Sequence, residues 1–379
     1  MDIAMYSRVY KNYKGREESM ELNFVDVLKK KANQKLFEME ERFQTQFEKL
    51  LPPFQTNFKK ISQNIVALQK KKELGSIAYL EYTMLYTNVL QKKYIAEIRV
   101  YDDMWYLDNC QMTVGTMDLS DYFQLMDKLQ EQLLKERKRY QNMISKTELL
   151  EYLVPYFLSF YEYFRVVCRF GILKCLEFEE FKNIKKCEQF EINVGTYMAD
   201  AVPIYKENKN KSSEDALIEF QDRAKFQYAF EDFADLDFSG ADLSEIDLRY
   251  ADLRRTNLQN TNLQDALLVS TRLCDCNLEN ADLRYSYMNE ADFTNSNLKN
   301  ANLSYAAGDS GWDKSEEWEA VGFRGISFRN ANLQNADFRK TSFLGADFTG
   351  ADLTGSIWNQ AHLAFMNFSE EQKKSIIIR

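Results

Sequence analysis

The residue types that carry out chemistry are sparse in this chain of 379 residues. His362 is the single histidine, so neither a Ser-His-Asp triad nor a histidine-rich metal site is expected. Neither a phosphate-binding G-x-x-x-x-G-K-[ST] loop nor a dinucleotide-binding G-x-G-x-x-G pattern occurs. Cys274 and Cys276 form the only close cysteine pair, and no further metal ligands accompany them. The sequence therefore predicts no catalytic residue, no metal site and no cofactor, and it indicates that the protein is not an enzyme.

Carboxylates are frequent in the C-terminal half, but their spacing ties them to a repeat rather than to catalysis. Four of them stand five residues apart: Asp237, Asp242, Asp247 and Asp252. An apolar residue follows each, and Leu, Phe or Met holds 15 consecutive positions at this spacing over 233–303. The spacing resumes over 323–368 for 10 more positions. A period of five matches neither a helix nor a strand, so it marks a repeat architecture.

The composition of each repeat indicates how it folds. A small residue stands two places before most of the apolar residues, with Asp or Asn between them, as in ADLSE, ADLRY, TNLQN and ADFTG. This pattern resembles the pentapeptide-repeat family over about residues 228–368. The resemblance implies a right-handed quadrilateral β-helix with four pentapeptides per coil, whose apolar and small residues point inward. Cys276 occupies the small inward position, which favours a structural role for its thiol.

An interruption of the repeat predicts a loop. The apolar series stops after Leu303 and restarts at Phe323, 20 residues later, which is the length of one coil. We predict a loop excursion at about 306–321 that carries Trp312 and Trp318 among acidic residues. Two interpretations stay open: the indole rings form a binding tip, or they fold back onto the coil.

The end of the chain predicts a short helix over 369–379. Ser369 and Gln372 have the spacing of a capping box, with Ser369 as the N-cap. Open ends of repeat rods need a cover. Ile376, Ile377 and Ile378 are therefore candidates for capping within one molecule or for forming a homodimer, since some family members dimerise through their C-terminal ends.

The N-terminal half has no period of five. Apolar residues recur every three or four residues from Phe24 to Leu50, which predicts an amphipathic helix that Pro52 and Pro53 end. Similar patterns predict helices from Phe54 to Leu68 and from Tyr122 to Ile144. The segment 94–107 is ambiguous and could be a short hairpin, whereas the aromatic-rich 152–164 is predicted to be the core helix. Charges interrupt that run before it reaches a membrane-spanning length.

The predicted fold class is therefore α+β multidomain. A mainly helical domain covers 1–205, a linker or N-terminal cap of the solenoid covers 206–227, and the β-helix covers 228–368. The lysine-rich stretch 206–215 is the linker itself. The chain shows no secretory signal, which predicts a cytoplasmic protein.

Charge is unevenly distributed along the chain. From residue 228 onward there are 24 acidic and 14 basic residues, a net charge of −10, whereas the preceding part has a net charge of +1. An acidic rod repels phosphate, so direct binding of nucleic acid is not expected. Membrane binding is not indicated either.

Three functions are compatible with these features. The first is a non-enzymatic adaptor or scaffold that binds a protein or peptide with the rod and the helical domain. The second is DNA mimicry, since the resemblance includes bacterial members that bind DNA gyrase and confer resistance. The third is an accessory or immunity protein for a ribosomally made peptide, which the family's occurrence beside peptide-antibiotic genes suggests.

Candidate partner-binding residues fall into two groups. The predicted loop contributes two indole rings and nearby carboxylates: Trp312, Trp318, Asp313, Glu316 and Glu317. The rod contributes a cluster of arginines, of which Arg249 and Arg254 are five residues apart and so occupy equivalent outward positions; Arg255 follows them.

Overall fold

A computed structural model describes residues 3–85, 88–89, 91–104, 112–142, 144–196, 201–309, 325–363 and 366–379. Side chains are described from residue 23 onward within these ranges, apart from residues 44 and 362. The chain divides into two compact units. The first comprises residues 1–185 and 192–204, and the second comprises residues 186–191 and 205–379.

A single long helix, α1 (Ile3–Lys70), opens the first unit. The predicted break at Pro52 and Pro53 is wrong, because both prolines lie inside this helix. Proline removes a backbone donor and disfavours a helix interior. However, the buried residues keep helical phase across the prolines, in the order Phe47, Leu51, Phe54, Phe58, Ile61 and Ile65. Packing of this continuous apolar stripe compensates for the lost hydrogen bonds.

The other helices of the first unit include two that overlap the predicted patterns and a short one that was not predicted. They are α2 (Ser120–Arg139), α3 (Lys146–Cys175) and α4 (Glu179–Lys182). The Ser145 hydroxyl accepts a hydrogen bond from the N–H of Glu148, which forms a capping box at the start of α3. As predicted, α3 is a core helix, since Phe157, Phe160 and Phe164 are buried. Among the described residues no helix combines the length and apolarity needed to cross a bilayer.

A five-stranded sheet accompanies these helices, where the sequence indicated at most one short hairpin. Its strands are β1 (Ile77–Met84), β2 (Ile95–Tyr101), β3 (Met112–Asp118), β4 (Lys186–Thr196) and β5 (Ala201–Asn208), in the order β3-β2-β1-β4-β5. β1 pairs antiparallel with β2, and β2 pairs antiparallel with β3. The first unit is therefore helical as predicted but contains more sheet than the single hairpin that the sequence indicated.

The predicted linker 206–215 is also more ordered than its composition indicates. It contains the end of β5 and the start of α5 (Ser213–Glu219). Two of its three lysines are held by ion pairs: the ammonium groups of Lys206 and Lys211 lie 2.6 and 3.3 Å from the carboxylate of Glu231. Ion pairing within the second unit thus holds the segment in place.

Parallel bridges between residues 20 apart build the rest of the second unit into a solenoid. They run from Asp232↔Asp252 to Asp337↔Ile357, and each coil takes four pentapeptides. The repeats therefore form four columns, defined by their inward apolar residues. The first column begins at Phe233, the second at Phe238, the third at Leu243 and the fourth at Leu248, and all four residues are buried. The small residues two places earlier are buried as well, as at Ala251, Thr256 and Ala281.

The turn between successive columns is also periodic. The residue two places after each inward residue has a positive φ, for example 59° at Glu245 and 61° at Tyr285. Asparagine and glycine, which tolerate this backbone, occupy many of the turns. At one turn asparagines form a ladder, in which Asn280 donates to Asn260 and Asn300 donates to Asn280, both at 3.1 Å. The ladder stabilises each coil on the next.

The excursion begins later than predicted. Ala306, Ala307 and Gly308 stay in the coil, and residues 310–324 lie outside the described residues. Asp292 pairs with Ser327, so 15 additional residues enter here, and the period of five is kept. Gly308 takes a position that is elsewhere a large apolar residue. A Cβ atom there would lie 3.1 Å from the Phe343 ring and 3.3 Å from Met288, so these neighbours fill its space.

The C-terminal segment closes the ladder. Strand β6 (Ile357–Trp358) and helix α6 (Gln360–Leu363) precede α7 (Glu370–Ser375), which has the predicted capping box of Ser369 and Gln372. β7 (Ile377–Ile378) then pairs parallel with β6. Two of the three C-terminal isoleucines are thus part of a strand rather than a helix, because β6 offers unpaired backbone groups at the end of the solenoid.

Candidate functional site

The fourth column differs from the others in its outward residues. At the bridge positions it carries mainly uncharged or apolar side chains: Asp247, Leu267, Tyr287, Ala307 and Ser342. The corresponding positions of the second column are all Asp or Asn: Asp237, Asn257, Asn277, Asn297, Asn332 and Asp352. An apolar surface that interrupts polar ones is the usual mark of an interaction site.

The turn between the third and fourth columns adds aromatic rings. Its residues form one stack, which we call the tyrosine turn column: Glu245, Asp265, Tyr285, Tyr305 and Lys340. The rings of Tyr285 and Tyr305 are stacked, with centroids 4.8 Å apart and an interplanar angle of 21°. Lys340 donates a hydrogen bond of 2.7 Å to the Tyr305 hydroxyl, and its ammonium lies 4.7 Å from that ring's centroid.

These tyrosines are exposed. Tyr285, Tyr287 and Tyr305 expose 43%, 47% and 42% of their surface, and Leu344 of the fourth column is also exposed. Tyrosine offers a large ring and a polar tip with few rotatable bonds, which makes it common in protein-binding surfaces. Sequence reasoning missed this group, because it treated outward repeat positions as solvated. The available signal was two outward tyrosines, Tyr285 and Tyr305, one coil length apart.

The predicted arginine cluster has a different place. Arg249 is only 3% exposed, which contradicts its expected outward exposure. Its Nε donates to Asp247 at 2.8 Å, and its guanidinium carbon lies 3.6 Å from the centroid of the Phe226 ring. Phe226 precedes the first repeat, so the repeat pattern alone did not show that its ring covers this position. Although burial opposes ionisation, Arg249 and the N–H of Phe226 hold the pKa of Asp247 below its usual range.

The other two arginines are also used within the solenoid. Arg254 pairs with Asp252 at 2.8 Å, and Arg272 approaches the same carboxylate at 3.4 Å. Arg255 makes a bidentate pair with Asp235, with distances of 2.7 and 2.6 Å. Charge that is neutralised by an internal partner contributes little to binding.

The remaining predicted residues belong to the loop and to the C-terminal end of the chain. Trp312, Trp318, Asp313, Glu316 and Glu317 lie outside the described residues. Ile377 and Ile378 are exposed in β7, and Ile376 packs against the solenoid core.

The cysteine pair has a structural environment. The Cys276 thiol is buried and donates to the carbonyl of Leu253 at 2.7 Å. Burial raises the pKa of the Cys276 thiol to about 12, so it is not a thiolate near neutral pH. Within the described ranges no group of three or more His, Cys, Asp or Glu side chains is placed to hold a metal ion.

Comparison with known proteins identifies the solenoid. The family model described as pentapeptide repeats matches in 8 copies over residues 232–273, 276–307, 323–355 and 346–370. The C-terminal half of the chain is a pentapeptide-repeat domain. No family model matches the N-terminal half, and no curated protein is significantly similar to the chain.

Solved pentapeptide-repeat structures are similar to this chain at low identity. A protein of the Arabidopsis thaliana thylakoid lumen is 24% identical, over 38% of this chain and 72% of that protein, with a TM-score of 0.23. QnrB1, a plasmid-mediated fluoroquinolone resistance protein, is 18% identical over 41% of this chain and 74% of QnrB1, with a TM-score of 0.23. HetL, involved in the regulation of heterocyst differentiation in the cyanobacterium Nostoc, is 21% identical over 39% of this chain and 98% of HetL, with a TM-score of 0.13.

Proposed function

We propose that the chain is a non-enzymatic scaffold that binds a protein or peptide partner with its pentapeptide-repeat domain. The observation that carries this proposal is the exposed group of Tyr285, Tyr287, Tyr305 and Leu344 on a solenoid whose second column is polar throughout at its bridge positions. Exposed aromatic residues that cluster beside polar ones are typical of binding surfaces. We further infer that the coil is a right-handed quadrilateral β-helix, which would hold this group on a rigid edge.

The N-terminal unit would supply a second surface. Phe37 of α1 is 76% exposed, and Leu158 of α3 is exposed as well. Apolar side chains at such positions do not contribute to the core of the unit, so they are available to a partner. We infer that the protein is cytoplasmic and that it joins two partners or two parts of one partner.

Mimicry of DNA is less well supported. A mimic needs closely spaced, unpaired negative charges, but the carboxylates of Asp247, Asp252 and Asp282 are paired with arginines of the same solenoid. The role in a peptide-antibiotic pathway remains a variant of the scaffold proposal in which the partner is a peptide or its modifying enzyme.

Position-specific crosslinking tests the scaffold proposal. A photoreactive phenylalanine analogue replaces Tyr287 in the full chain, and a matched variant carries it at Ser239, an exposed residue of the second column. We expect an adduct at position 287 and none at position 239, and Tyr287→Ala should weaken binding of the purified partner. Equal adducts at both positions would contradict the proposal. Inhibition of DNA gyrase supercoiling that survives Tyr287→Ala would favour mimicry instead.

A further inference from the structure

The order of residues in the tyrosine turn column indicates what kind of partner fits it. We propose that this column binds a basic side chain, arginine or lysine, against the ring face of Tyr285 that is turned toward Asp265. The inference rests on the proposed function, since it defines the chemistry of the partner for the same surface. The occupant is an extended segment of a protein or peptide with basic residues.

The opposite end of the stack shows how its rings accept a cation. Lys340 covers the outer side of Tyr305, at 4.7 Å from the ring centroid, and Tyr285 stacks on the inner side. The remaining ring face of Tyr285 is on the side of the preceding coil, where Asp265 stands at the equivalent turn. A cation there would contact an aromatic face and a carboxylate together, a combination stronger than either alone.

Two carboxylates of the column are open to a partner. Glu245 and Asp265 are exposed, and neither forms an ion pair with any residue that the structure describes. Two arginines that directly precede members of the column are already paired within the solenoid. Arg284 is paired with Asp282 at 2.7 Å, and Arg339 with Asp337 at 2.6 Å. The charge presented to a partner at this end of the column is therefore negative, which complements a basic segment and disfavours an acidic one.

The spacing of the column suits an extended chain. Coils joined by a parallel ladder are about 4.8 Å apart, so Glu245 and Tyr285, two coils apart, are separated by about 10 Å along the axis. A cation in contact with the Tyr285 ring lies about 4 Å from it on the Asp265 side, and therefore about 6 Å from Glu245 along the axis. In an extended segment, residues on the same side are about 6.6 Å apart, so two basic residues at alternate positions match this separation. An Arg-x-Arg or Lys-x-Lys pattern is thus the expected ligand.

Binding of defined peptides to the full chain tests the inference. The probe is a fluorescent peptide of alternating arginine and serine, and its match has glutamate in place of arginine. We expect saturable binding of the arginine peptide only, with Tyr285→Leu and Asp265→Asn each weakening it about two- to fivefold. Tyr285→Phe keeps the ring and should bind as the unchanged protein does.

A charge-matched control separates this site from general attraction to an acidic rod. Glu371→Gln removes one exposed carboxylate on α7, away from the tyrosine turn column. If Glu371→Gln weakens binding as much as Asp265→Asn, or if Tyr285→Leu has no effect, the proposed site is wrong. Circular dichroism of each variant confirms that the solenoid is folded.

The two proposals fail in different ways. If a partner crosslinks at position 287 but the arginine peptide neither binds nor competes with it, the scaffold function stands and the basic-segment inference is overturned. If no partner crosslinks and the peptide does not bind, both are overturned.

Discussion

The buried pair of Asp247 and Arg249 offers a sharp test, because the same solenoid contains its apolar counterpart. One coil later, Leu267 and Val269 occupy the equivalent positions of the fourth column. The variant Asp247→Leu removes the carboxylate that pairs with Arg249, and Arg249→Val removes the guanidinium that pairs with Asp247. Removing one partner of a buried pair lowers the free energy of unfolding by about 3–5 kcal/mol.

The double variant should behave differently from either single one. With both charges gone, no buried ion is left without a partner, and a well-packed apolar pair is often as stable as the ion pair it replaces. Two losses remain, because the backbone N–H groups of residues 226 and 249 donate to Asp247 at 2.7 and 3.3 Å and lose this acceptor in the double variant. We therefore expect the double variant to lie within about 1–2 kcal/mol of the unchanged protein.

The unchanged protein, the two single variants and the double variant form a double-mutant cycle. Urea unfolding of the full chain measures the free energy of unfolding of each, and hydrogen exchange over residues 226–255 reports the local stability. An Arg249→Val loss below about 0.5 kcal/mol would refute the assignment of Arg249 to a structural role. Weaker partner binding by a folded Arg249→Val protein would restore the sequence prediction that this residue contacts a partner.

The same pair predicts an acid dependence. The folded-state pKa of Asp247 is depressed, so its contribution to stability is fully present above the unfolded value and is lost as the pH falls through the folded-state value. The unfolded value is close to 3.9, so the loss begins at about pH 4 or just below. Unfolding midpoints over this range should therefore fall less steeply for the double variant than for the unchanged protein.

Three further variants test the packing of the solenoid. Gly308→Val places methyl groups where Phe343 and Met288 already lie, so it should lower the free energy of unfolding by about 1–3 kcal/mol. Gly75→Ala is the control: its position is open, so calorimetry should show no change in stability. Asn280→Ala removes two ladder hydrogen bonds at a residue with positive φ, so its free energy of unfolding should fall by about 1–2 kcal/mol. The fall should be smaller for Asn280→Gly, because glycine tolerates that backbone conformation. Deletion of residues 376–379 exposes the edge of β6, and sedimentation should then show self-association; a monomeric deletion variant would show that β7 is not needed as a cap.

The sequence predicted the solenoid well, because its period of five marks a repeat and its repeats resemble the pentapeptide-repeat family. An inward residue such as Leu258 and a small residue such as Thr256 must face the interior at every step, and the structure buries both. The N-terminal sheet was harder to predict. In β1 the residues of both strand faces are buried, including Glu81 and Thr83, so the strand lacks the alternation that reveals a half-exposed strand. In β4 the alternating Phe190, Ile192 and Val194 were a usable signal.

The candidate site could be predicted only in part, since outward positions of a repeat look alike in sequence. Arg249 and Arg255 both stand beside aspartates, but only the structure shows that Phe226 covers the first and that Asp235 holds the second. Similarly, the consensus pattern gives no reason to separate Tyr285 from the exposed residue at any other turn. What separates it is the ring of Tyr305 on the next coil, which is a contact between residues 20 apart.

The internal use of outward side chains also bears on which surface can bind a partner. Along the second column, Asn257 donates to Asp237, Asn277 to Asn257, and Asn297 to Asn277, at 3.1–3.2 Å. Each amide thus bonds to the coil before it, and at these bridge positions only the two ends of the column, Asp237 and Asp352, are negatively charged. The second column therefore lacks the regularly spaced charges that a DNA-binding protein would recognise. By contrast, the tyrosine turn column has two exposed carboxylates that form no ion pair with any described residue, so recognition of a basic side chain by that column needs no rearrangement of the solenoid.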